Sequence, residues 1–338
     1  MKLFVHAPNV HQGGGAVLLE NLLESSSTFS LVAQLDERLR TSFQSSSAEI
    51  SRVRSTPWSR LRAEWHLRKL TVRDKLICFG NLPPLFGSPA DVYVYLQNRL
   101  LIENSSLHQY PWRTRLRLII ERWWVRLRAT NRTRFIVQTP SMAQLVLETL
   151  GADAWILPFG PVMPQVDVKR NANTVDFVYV ASGEPHKNHR RLVEAWCILR
   201  ENGLRPSLVL TISIENEPEL AEWIRAQAEH RDLHIELLGM LDRRHIQDLY
   251  LHSRCQIYPS LLESYGLPLV EAVSCGIPVI ASERDFVRDV CTPIQTFDPE
   301  SAVSISRAVM RFLGTPDRTH RQLTATEFLS KLCAESPM

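Results

Sequence analysis

The stretch that decides the fold is CQIYPSLLESYGLPLVEAVSCGIPVIAS, residues 255–282. Its first apolar residues predict a strand that ends at Tyr258, and a loop holding Glu263 follows. Pro268 suits the first turn of a helix, where its missing N–H leaves no hydrogen bond unmade. Glu271 lies on that helix, and the next glycine and proline predict the helix end and a new strand. The pattern is therefore strand, loop, helix, strand.

The junction between this loop and helix is a candidate ligand site. Open parallel sheets bind ligands beyond the carboxyl ends of their strands, and a helix N-terminus offers free N–H groups to a phosphate. Carboxylates accept hydrogen bonds from hydroxyls, so Glu263 and Glu271 suit a sugar or a ribose. An alternative stays open at this point, in which both are acidic residues stabilised by the dipole at a helix start.

The same alternation extends along the whole chain. In the C-terminal half we predict strands at 177–181, 207–212, 234–238, 256–258 and 278–282, with helices at 191–202, 219–230, 245–252 and 268–274. In the N-terminal half we predict strands at 2–7, 76–79, 92–96 and 135–138, a glycine loop up to residue 15 and a helix at 16–23. This rhythm predicts α/β domains built on doubly wound parallel sheets.

A proline-rich polar segment, ILPFGPVMPQVDVKRNANTVD at 156–176, separates the two halves. Proline disfavours a continuing helix or central strand, and 338 residues suffice for two domains. We predict an N-terminal domain over 1–158, a linker over 159–175, a C-terminal domain over 176–315 and a tail over 316–338.

Composition excludes several classes of protein. The chain is 44% hydrophobic and 22% charged, which is ordinary for a globular protein and not for a fibrous or disordered one. The six cysteines lie singly and form no C-x-x-C pair, so we expect neither a disulfide framework nor a structural zinc site. The start lacks the apolar core of a signal peptide, and no uncharged apolar run reaches the ~18 residues of a membrane span. We expect a cytoplasmic protein.

Charge is divided unevenly between the halves. Residues 1–158 hold 20 Lys and Arg against 12 Asp and Glu, a net charge of +8, and residues 159–338 hold 19 against 24, a net charge of −5. A basic half suggests an anionic surface or ligand as its partner. The sequence contains no nucleic-acid-binding motif, so we expect no nucleic acid partner.

The string P-S-x2-E-x2-G-x-P-x2-E-A-x3-G-x-P-V at 259–279 resembles the retaining glycosyltransferases of family 4. These enzymes have the GT-B fold, in which two Rossmann-like domains face each other across a cleft, and the tail commonly packs back on the N-terminal domain. Glu263 and Glu271 match their E-x7-E motif. The resemblance implies that Glu263 contacts the donor sugar and Glu271 the ribose. It also implies that the donor is bound by the backbone at Tyr265, Gly266 and Leu267 and at the turn Gly239, Met240 and Leu241.

Two further segments resemble the same family. ASGEPHKNHRRL at 181–192 matches its diphosphate-binding segment at Lys187 and Asn188, although His186 stands where many members have arginine. The glycines Gly13, Gly14 and Gly15 resemble its phosphate-facing loop, and glycines let backbone N–H groups approach an anion. Gln97 and Asn98 lie where other members have an acceptor-side residue, and we assign them no role.

The resemblance implies a hexosyl transfer with retention, from a UDP-, GDP- or similar nucleotide sugar to an acceptor hydroxyl. Glu263 and Lys187 are the candidate catalytic residues. We expect no cofactor, and no metal because no D-x-D motif stands at a suitable place. A lipid-linked glycan of bacterial polysaccharide or lipopolysaccharide assembly is the expected acceptor. Two alternatives remain open, a catalytically inactive scaffold in a glycan-assembly complex and a sugar-nucleotide epimerase.

The segment PWRTRLRLIIERWWVRLR at 111–128 predicts an amphipathic helix. Its apolar residues fall within an arc of roughly 100° bordered by arginines, as in helices that lie in a membrane interface. We expect peripheral contact with the inner face of the cytoplasmic membrane through Trp112, Arg113, Arg117, Trp123 and Arg126. A weaker second patch lies at 57–69. The competing interpretation is that the apolar stripe packs on the sheet of its own domain.

Overall fold

The computed structural model describes residues 2–24, 31–39, 48–129, 133–160 and 175–315. Within these ranges the chain forms two α/β units, each built on one parallel sheet, of seven and six strands. This architecture confirms the predicted fold of two Rossmann-like domains.

The N-terminal sheet has the strand order β3-β2-β1-β4-β5-β6-β7. Its strands are β1 (Leu3–Ala7), β2 (Leu31–Asp36), β3 (Ala48–Val53), β4 (Lys75–Cys78), β5 (Asp91–Tyr95), β6 (Thr133–Val137) and β7 (Ala154–Ile156). Its helices are α1 (Gly13–Glu24), α2 (Pro57–His66), α3 (Trp112–Arg128) and α4 (Pro140–Leu150). The connection through α1, from β1 to β2, moves toward the β3 edge of the sheet. The connections through α2, α3 and α4 move toward the β7 edge. Because parallel crossovers are right-handed, α1 covers one face, and α2, α3 and α4 form a layer on the opposite face.

The C-terminal sheet has the strand order β10-β9-β8-β11-β12-β13. Its strands are β8 (Val175–Tyr179), β9 (Leu208–Leu210), β10 (Ile235–Leu237), β11 (Ser253–Tyr258), β12 (Val279–Ser282) and β13 (Gln295–Phe297). Its helices are α5 (His189–Glu201), α6 (Pro218–Arg231), α7 (Arg243–Leu251), α8 (Leu267–Ser274), α9 (Asp285–Arg288) and α10 (Ala302–Phe312). The central strands are apolar on both faces and buried against these helices, as expected of a covered parallel sheet.

The structure corrects one local prediction and adds elements that were not predicted. The three glycines at 13–15 form the first turn of α1 and not a loop before it. Strands β2, β3, β7 and β13 and helices α9 and α10 were not predicted. Of the predicted linker, residues 161–174 lie outside the described residues, and so does the whole predicted tail at 316–338.

Candidate functional site

The site lies where the C-terminal sheet changes its winding direction. The chain runs from β8 to β9 and β10 on one side, then returns to β11, β12 and β13 on the other. The loops after β8 and β11 diverge at this switch point, which is where open α/β sheets bind ligands. The first loop carries Lys187 and the second carries Glu263, so the topology brings together two residues 76 positions apart.

Lys187 and Glu263 form the polar centre of the site. The Lys187 ammonium Nζ lies 2.7 Å from Glu263 Oε1, and both side chains are largely buried. The Tyr258 hydroxyl donates to the same carboxylate oxygen at 2.9 Å. Burial alone would raise the pKa of Glu263, but the neighbouring Lys187 ammonium outweighs it and the pKa lies below its ordinary value. Glu263 is therefore an ionised carboxylate held in one position at neutral pH.

A second set of hydroxyl groups fixes the two loops to the sheet. The Tyr179 hydroxyl donates to the Lys187 carbonyl oxygen at 2.9 Å and lies 2.9 Å from the Ser260 hydroxyl. The Ser282 hydroxyl donates to the Ser260 carbonyl oxygen at 2.8 Å. Sequence reasoning did not single out these residues, or Tyr258. The available signal was a tyrosine within the predicted strand 177–181 and another at the end of the predicted strand 256–258.

Asn188 supports the backbone of the site. It has a left-handed conformation with φ of 64°, and its side-chain nitrogen donates to the carbonyl oxygens of Pro259 and Pro299 at 3.1 and 2.7 Å. The side-chain nitrogen is thus engaged within the protein. Its contribution in this geometry is to tie the loop of Lys187 to the loop of Glu263.

Glu271 lies on α8, one helical turn beyond the helix start. Burial raises its pKa to about 7, and the positive charge of Arg243 opposes that rise. This carboxylate is therefore poised to change its charge near neutral pH. The helix start itself is made by Gly266, whose φ of 77° is left-handed and suits glycine better than other residues.

The N-terminal domain presents a helix start directly across the cleft. A Cβ on Gly14 would lie 3.2 Å from the Leu267 Cδ1 atom, so the first turn of α1 touches the first turn of α8. The first turn of a helix has unpaired N–H groups and the positive end of the dipole. Two such termini therefore face each other, and the start of α8 follows the loop that carries Glu263. This arrangement suits a group with several negative charges.

The domains meet in specific contacts around this point. The Ser264 hydroxyl donates to the Gln97 carbonyl oxygen at 2.5 Å, and the Thr139 hydroxyl donates to the Ser264 carbonyl oxygen at 3.1 Å. Leu262 and Leu267 of the C-terminal domain pack against two apolar clusters of the N-terminal domain. The loop that carries Glu263 is therefore held from both sides.

The remaining predicted site residues have these positions. Gln97 donates its side-chain nitrogen to the Phe79 carbonyl oxygen, and the Asn98 side chain accepts from the Leu100 N–H in a short turn. Tyr265 is half-buried, and burial raises its pKa. The turn of Gly239, Met240 and Leu241 precedes α7, with Gly239 left-handed and Met240 exposed.

His186, which departs from the pattern that the resemblance implies, makes a contact between the domains. Its Nδ1 lies 3.1 Å from the hydroxyl of Tyr110 in the N-terminal domain. Burial and the adjacent Lys187 lower the pKa of His186 below its ordinary value. The imidazole is thus neutral at pH 7 and does not replace the positive charge of an arginine.

The apolar stripe of α3 faces outward. Six large apolar side chains are each 45–70% exposed: Trp112, Leu116, Ile119, Ile120, Trp123 and Leu127. The helix packs on its domain through Leu118 and Val125. The interpretation that the stripe packs on its own sheet is therefore wrong. Arg113 and Arg117 are exposed, and Arg126, also exposed, donates to the Asn104 side chain at 2.9 Å.

Two features are absent from the described ranges. No helix there is both long and apolar enough to cross a bilayer. No group of three or more His, Cys, Asp and Glu side chains in that part of the chain is placed to hold a metal ion.

Two facing Rossmann-like domains are the fold of the GT-B class of glycosyltransferases. The solved structures with this fold include HepE from Anabaena in complex with UDP and glucose, with a TM-score of 0.68, 12% identity and coverage of 93% of this chain and 90% of that one. They also include WaaG, a glycosyltransferase involved in lipopolysaccharide biosynthesis, with a TM-score of 0.63, 14% identity and coverage of 93% and 92%.

Sequence comparison identifies the domain. Residues 165–326 match the family described as glycosyl transferases group 1, so the chain carries a glycosyl transferases group 1 domain. The O-antigen chain mannosyltransferase B of Escherichia coli is 30% identical over 156 residues, which are 46% of this chain and 40% of that protein. The chain thus spans less than half the length of this curated relative.

Proposed function

We propose that this protein transfers a hexosyl group, with retention of anomeric configuration, from a nucleoside-diphosphate sugar to an acceptor hydroxyl. The observation that carries the proposal is the buried Lys187–Glu263 pair at the switch point, on the loop that leads into the start of α8, which faces the start of α1. Such a site fits a diphosphate beside a sugar, because the helix ends and the ammonium favour the phosphates and the carboxylate accepts from hydroxyls.

The proposed step breaks the bond between the anomeric carbon and the diphosphate oxygen, and forms the bond between that carbon and the acceptor oxygen. The acceptor proton passes to a phosphate oxygen of the departing nucleoside diphosphate on the same face. The developing charge is stabilised by Lys187 and by the N–H groups of the first turns of α1 and α8. Glu263 holds the sugar, and Glu271 holds the ribose. Water is excluded by closure of the two domains.

The proposed donor sugar is supported by the names of the relatives, and the proposed independence of metal by the charges of the site. A mannosyl donor is the first candidate, because the matched Escherichia coli relatives are named mannosyltransferases. Their names leave the base open between UDP, GDP and others. The positive helix ends and Lys187 favour a diphosphate without a bound cation, so we propose that no cofactor and no divalent metal is required.

The test is turnover of a panel of nucleotide sugars, with release of the nucleoside diphosphate as the readout and EDTA in a parallel series. We expect one donor to be turned over equally with and without EDTA. Glu263→Gln should lower kcat by about 100-fold or more with little change in nucleotide affinity, and the exposed Glu236→Gln is the control. Proton NMR of the product reports its anomeric configuration.

Nucleotide binding without turnover of any donor would favour the inactive scaffold, and interconversion of free nucleotide sugars would favour the epimerase. An inverted product would refute retention, and loss of turnover in EDTA would refute metal independence.

For the acceptor we propose a lipid-linked glycan at the inner face of the cytoplasmic membrane. The support is the exposed stripe of α3, since a monomer rarely exposes a large contiguous apolar patch without a partner. Arginines beside the stripe add about 1 kcal/mol each near an anionic leaflet. The helix α2, in the same layer as α3, also has exposed tryptophans. On α2, Trp58 and Trp65 are 82% and 52% exposed, and Trp65 packs edge-on against the Phe86 ring.

Flotation with vesicles of anionic and of neutral lipids tests this contact. The double variant Trp112→Glu/Trp123→Glu should lose binding to anionic vesicles and keep its thermal stability, since both side chains are exposed. The control is Val303→Glu/Ile294→Glu, which places the same charges on exposed apolar positions of the C-terminal domain. Equal vesicle binding by the two double variants would contradict a membrane role for α3.

A further inference from the structure

A cavity of about 330 Å³ lies between the domains, beside the proposed transfer site. Its N-terminal wall is the segment that follows β5, and its C-terminal wall comes from the loops after β8, β11, β12 and β13. We propose that this cavity is a subsite for one uncharged sugar residue of the acceptor glycan. The proposal rests on the proposed function and names the kind of group that the acceptor places there.

The location separates the cavity from the proposed donor nucleotide. Its lining includes His186, next to Lys187, and Leu261, two residues before Glu263. Arg284 follows β12 and Glu300 follows β13, which is the side of the sheet opposite β10 and the turn at Gly239 that is predicted to meet the base. The cavity therefore borders the transfer site on the side that the nucleotide leaves free.

The charges in the cavity argue against an anionic ligand. Arg99 is paired with Glu103 at 3.0 Å, and Arg284 with Glu300 at 3.1 Å. Asp285 also lines the cavity and adds a third carboxylate to two guanidinium groups. A phosphate or a uronic acid would meet no unneutralised positive charge in this lining. A hydroxyl-rich neutral ligand can instead donate to the carboxylates and accept from the guanidinium groups.

The size and the remaining surface of the cavity also fit a sugar. Ligand sites span roughly 300–1,000 Å³, so this volume suits a small group such as a single sugar ring. Ser105 and Gln109 add two uncharged polar residues to the lining. Leu100, Leu262 and Phe286 give the lining an apolar side, which suits the C–H face of a sugar ring.

The cavity wall is also attached to α3. The Arg122 guanidinium donates to the carbonyl oxygens of Leu100 and Ser105 at 2.7 and 3.3 Å. The same segment then runs through Tyr110 into the start of α3 at Trp112. A glycan carried on a membrane lipid would therefore meet this cavity next to the helix proposed to contact the lipid surface. This connection favours the acceptor, and not a free metabolite, as the source of the sugar.

The test uses saturation-transfer NMR with mannose, glucose, galactose and N-acetylglucosamine, and with mannose 6-phosphate and glucuronic acid as anionic probes, on the full chain. Ser105→Leu places a larger apolar side chain at a position in the cavity lining. Gln109→Trp narrows it from an exposed position and is the second variant in case Ser105→Leu does not fold. His108→Trp is the matched control, because this exposed neighbour does not line the cavity.

We expect a neutral sugar to bind the wild type and the control, and both cavity variants to weaken that binding by about tenfold or more. Equal sugar binding in all four proteins, or a preference for the anionic probes, would overturn the proposal. Nucleotide-sugar turnover by the same wild-type preparation separates the two hypotheses. Sugar binding in the cavity without turnover would refute the proposed function alone, and turnover with sugar binding insensitive to the cavity variants would refute the subsite alone.

Discussion

Replacement of Glu271 by glutamine tests whether the raised pKa of this buried carboxyl group affects stability and nucleotide binding. Burial raises the pKa of Glu271 to about 7 from an ordinary value of 4.5. The folded protein therefore binds a proton here that the unfolded chain has already released between these two pH values. At roughly 1.4 kcal/mol per pH unit, the wild type loses about 3 kcal/mol of stability as pH rises from 4.5 through 7. The Glu271→Gln variant has no carboxyl group to ionise at this position, so it should not show this loss of stability.

Nucleotide binding should show the opposite pH dependence. If the ionised carboxylate accepts both ribose hydroxyls, binding requires the deprotonated form, which predominates only above about pH 7. A wild-type Kd should therefore be roughly tenfold weaker at pH 6 than at pH 8. In Glu271→Gln the Kd should be weaker at pH 8 and should change little with pH.

The assay is isothermal titration calorimetry with the intact nucleotide sugar between pH 6 and 9. The free nucleoside diphosphate is avoided, because a terminal phosphate ionises with a pKa near 6. Urea denaturation at pH 5 and pH 8 measures the stability difference in parallel. The exposed Glu236→Gln is the control for loss of a carboxylate. A wild-type Kd independent of pH, or a Glu271→Gln variant with the same pH dependence as the wild type, would refute the reasoning.

Two other substitutions test the cleft. Gly14→Val places a branched side chain where even a Cβ would lie 3.2 Å from Leu267 Cδ1, so kcat should fall by about tenfold or more while thermal stability stays close to that of wild type. Adding Leu267→Ala should restore activity. Failure of that rescue would show that the contact between the helices is not the cause. Tyr258→Phe removes the hydroxyl that holds Glu263 at 2.9 Å. Turnover should fall by about tenfold with nucleotide Kd unchanged, and a variant with full turnover would mean that Lys187 alone positions the carboxylate.

The sequence was most informative in the C-terminal domain. There five of the six strands were predicted from short apolar runs, and the parallel sheet followed from their alternation with helices. Strand β13 (QTF) was missed because it has a single apolar residue. In the N-terminal domain β2 and β3 were missed. The segments LVAQLD of β2 and AEISRV of β3 mix polar and apolar residues, so neither forms an uninterrupted apolar run.

Tertiary contacts explain the other differences. Three consecutive glycines have a low helix propensity, yet they form the first turn of α1, where the missing side chain of Gly14 permits the contact with Leu267. The side chain of Asn188 looked like a ligand group, but its nitrogen is engaged by two backbone carbonyls that only the folded chain brings near. The tyrosines that hold the Lys187 and Glu263 loops come from different strands, so no local spacing indicated their shared role.

One contact between the domains bears on how such proteins can be recombined. The N-terminal N–H of α4 at Ser141 is capped by the Asp289 carboxylate, which accepts its hydrogen bond at 3.0 Å from the other domain. A helix start normally takes its cap from the adjacent chain, but here half of that function is supplied from 148 residues away. A chimera that joins this N-terminal domain to the C-terminal domain of a relative would separate the helix from its carboxylate. Because the donor is a backbone N–H, any residue except proline at position 141 can make this bond. A domain swap should therefore keep a carboxylate at the position of Asp289, whatever residue stands at 141.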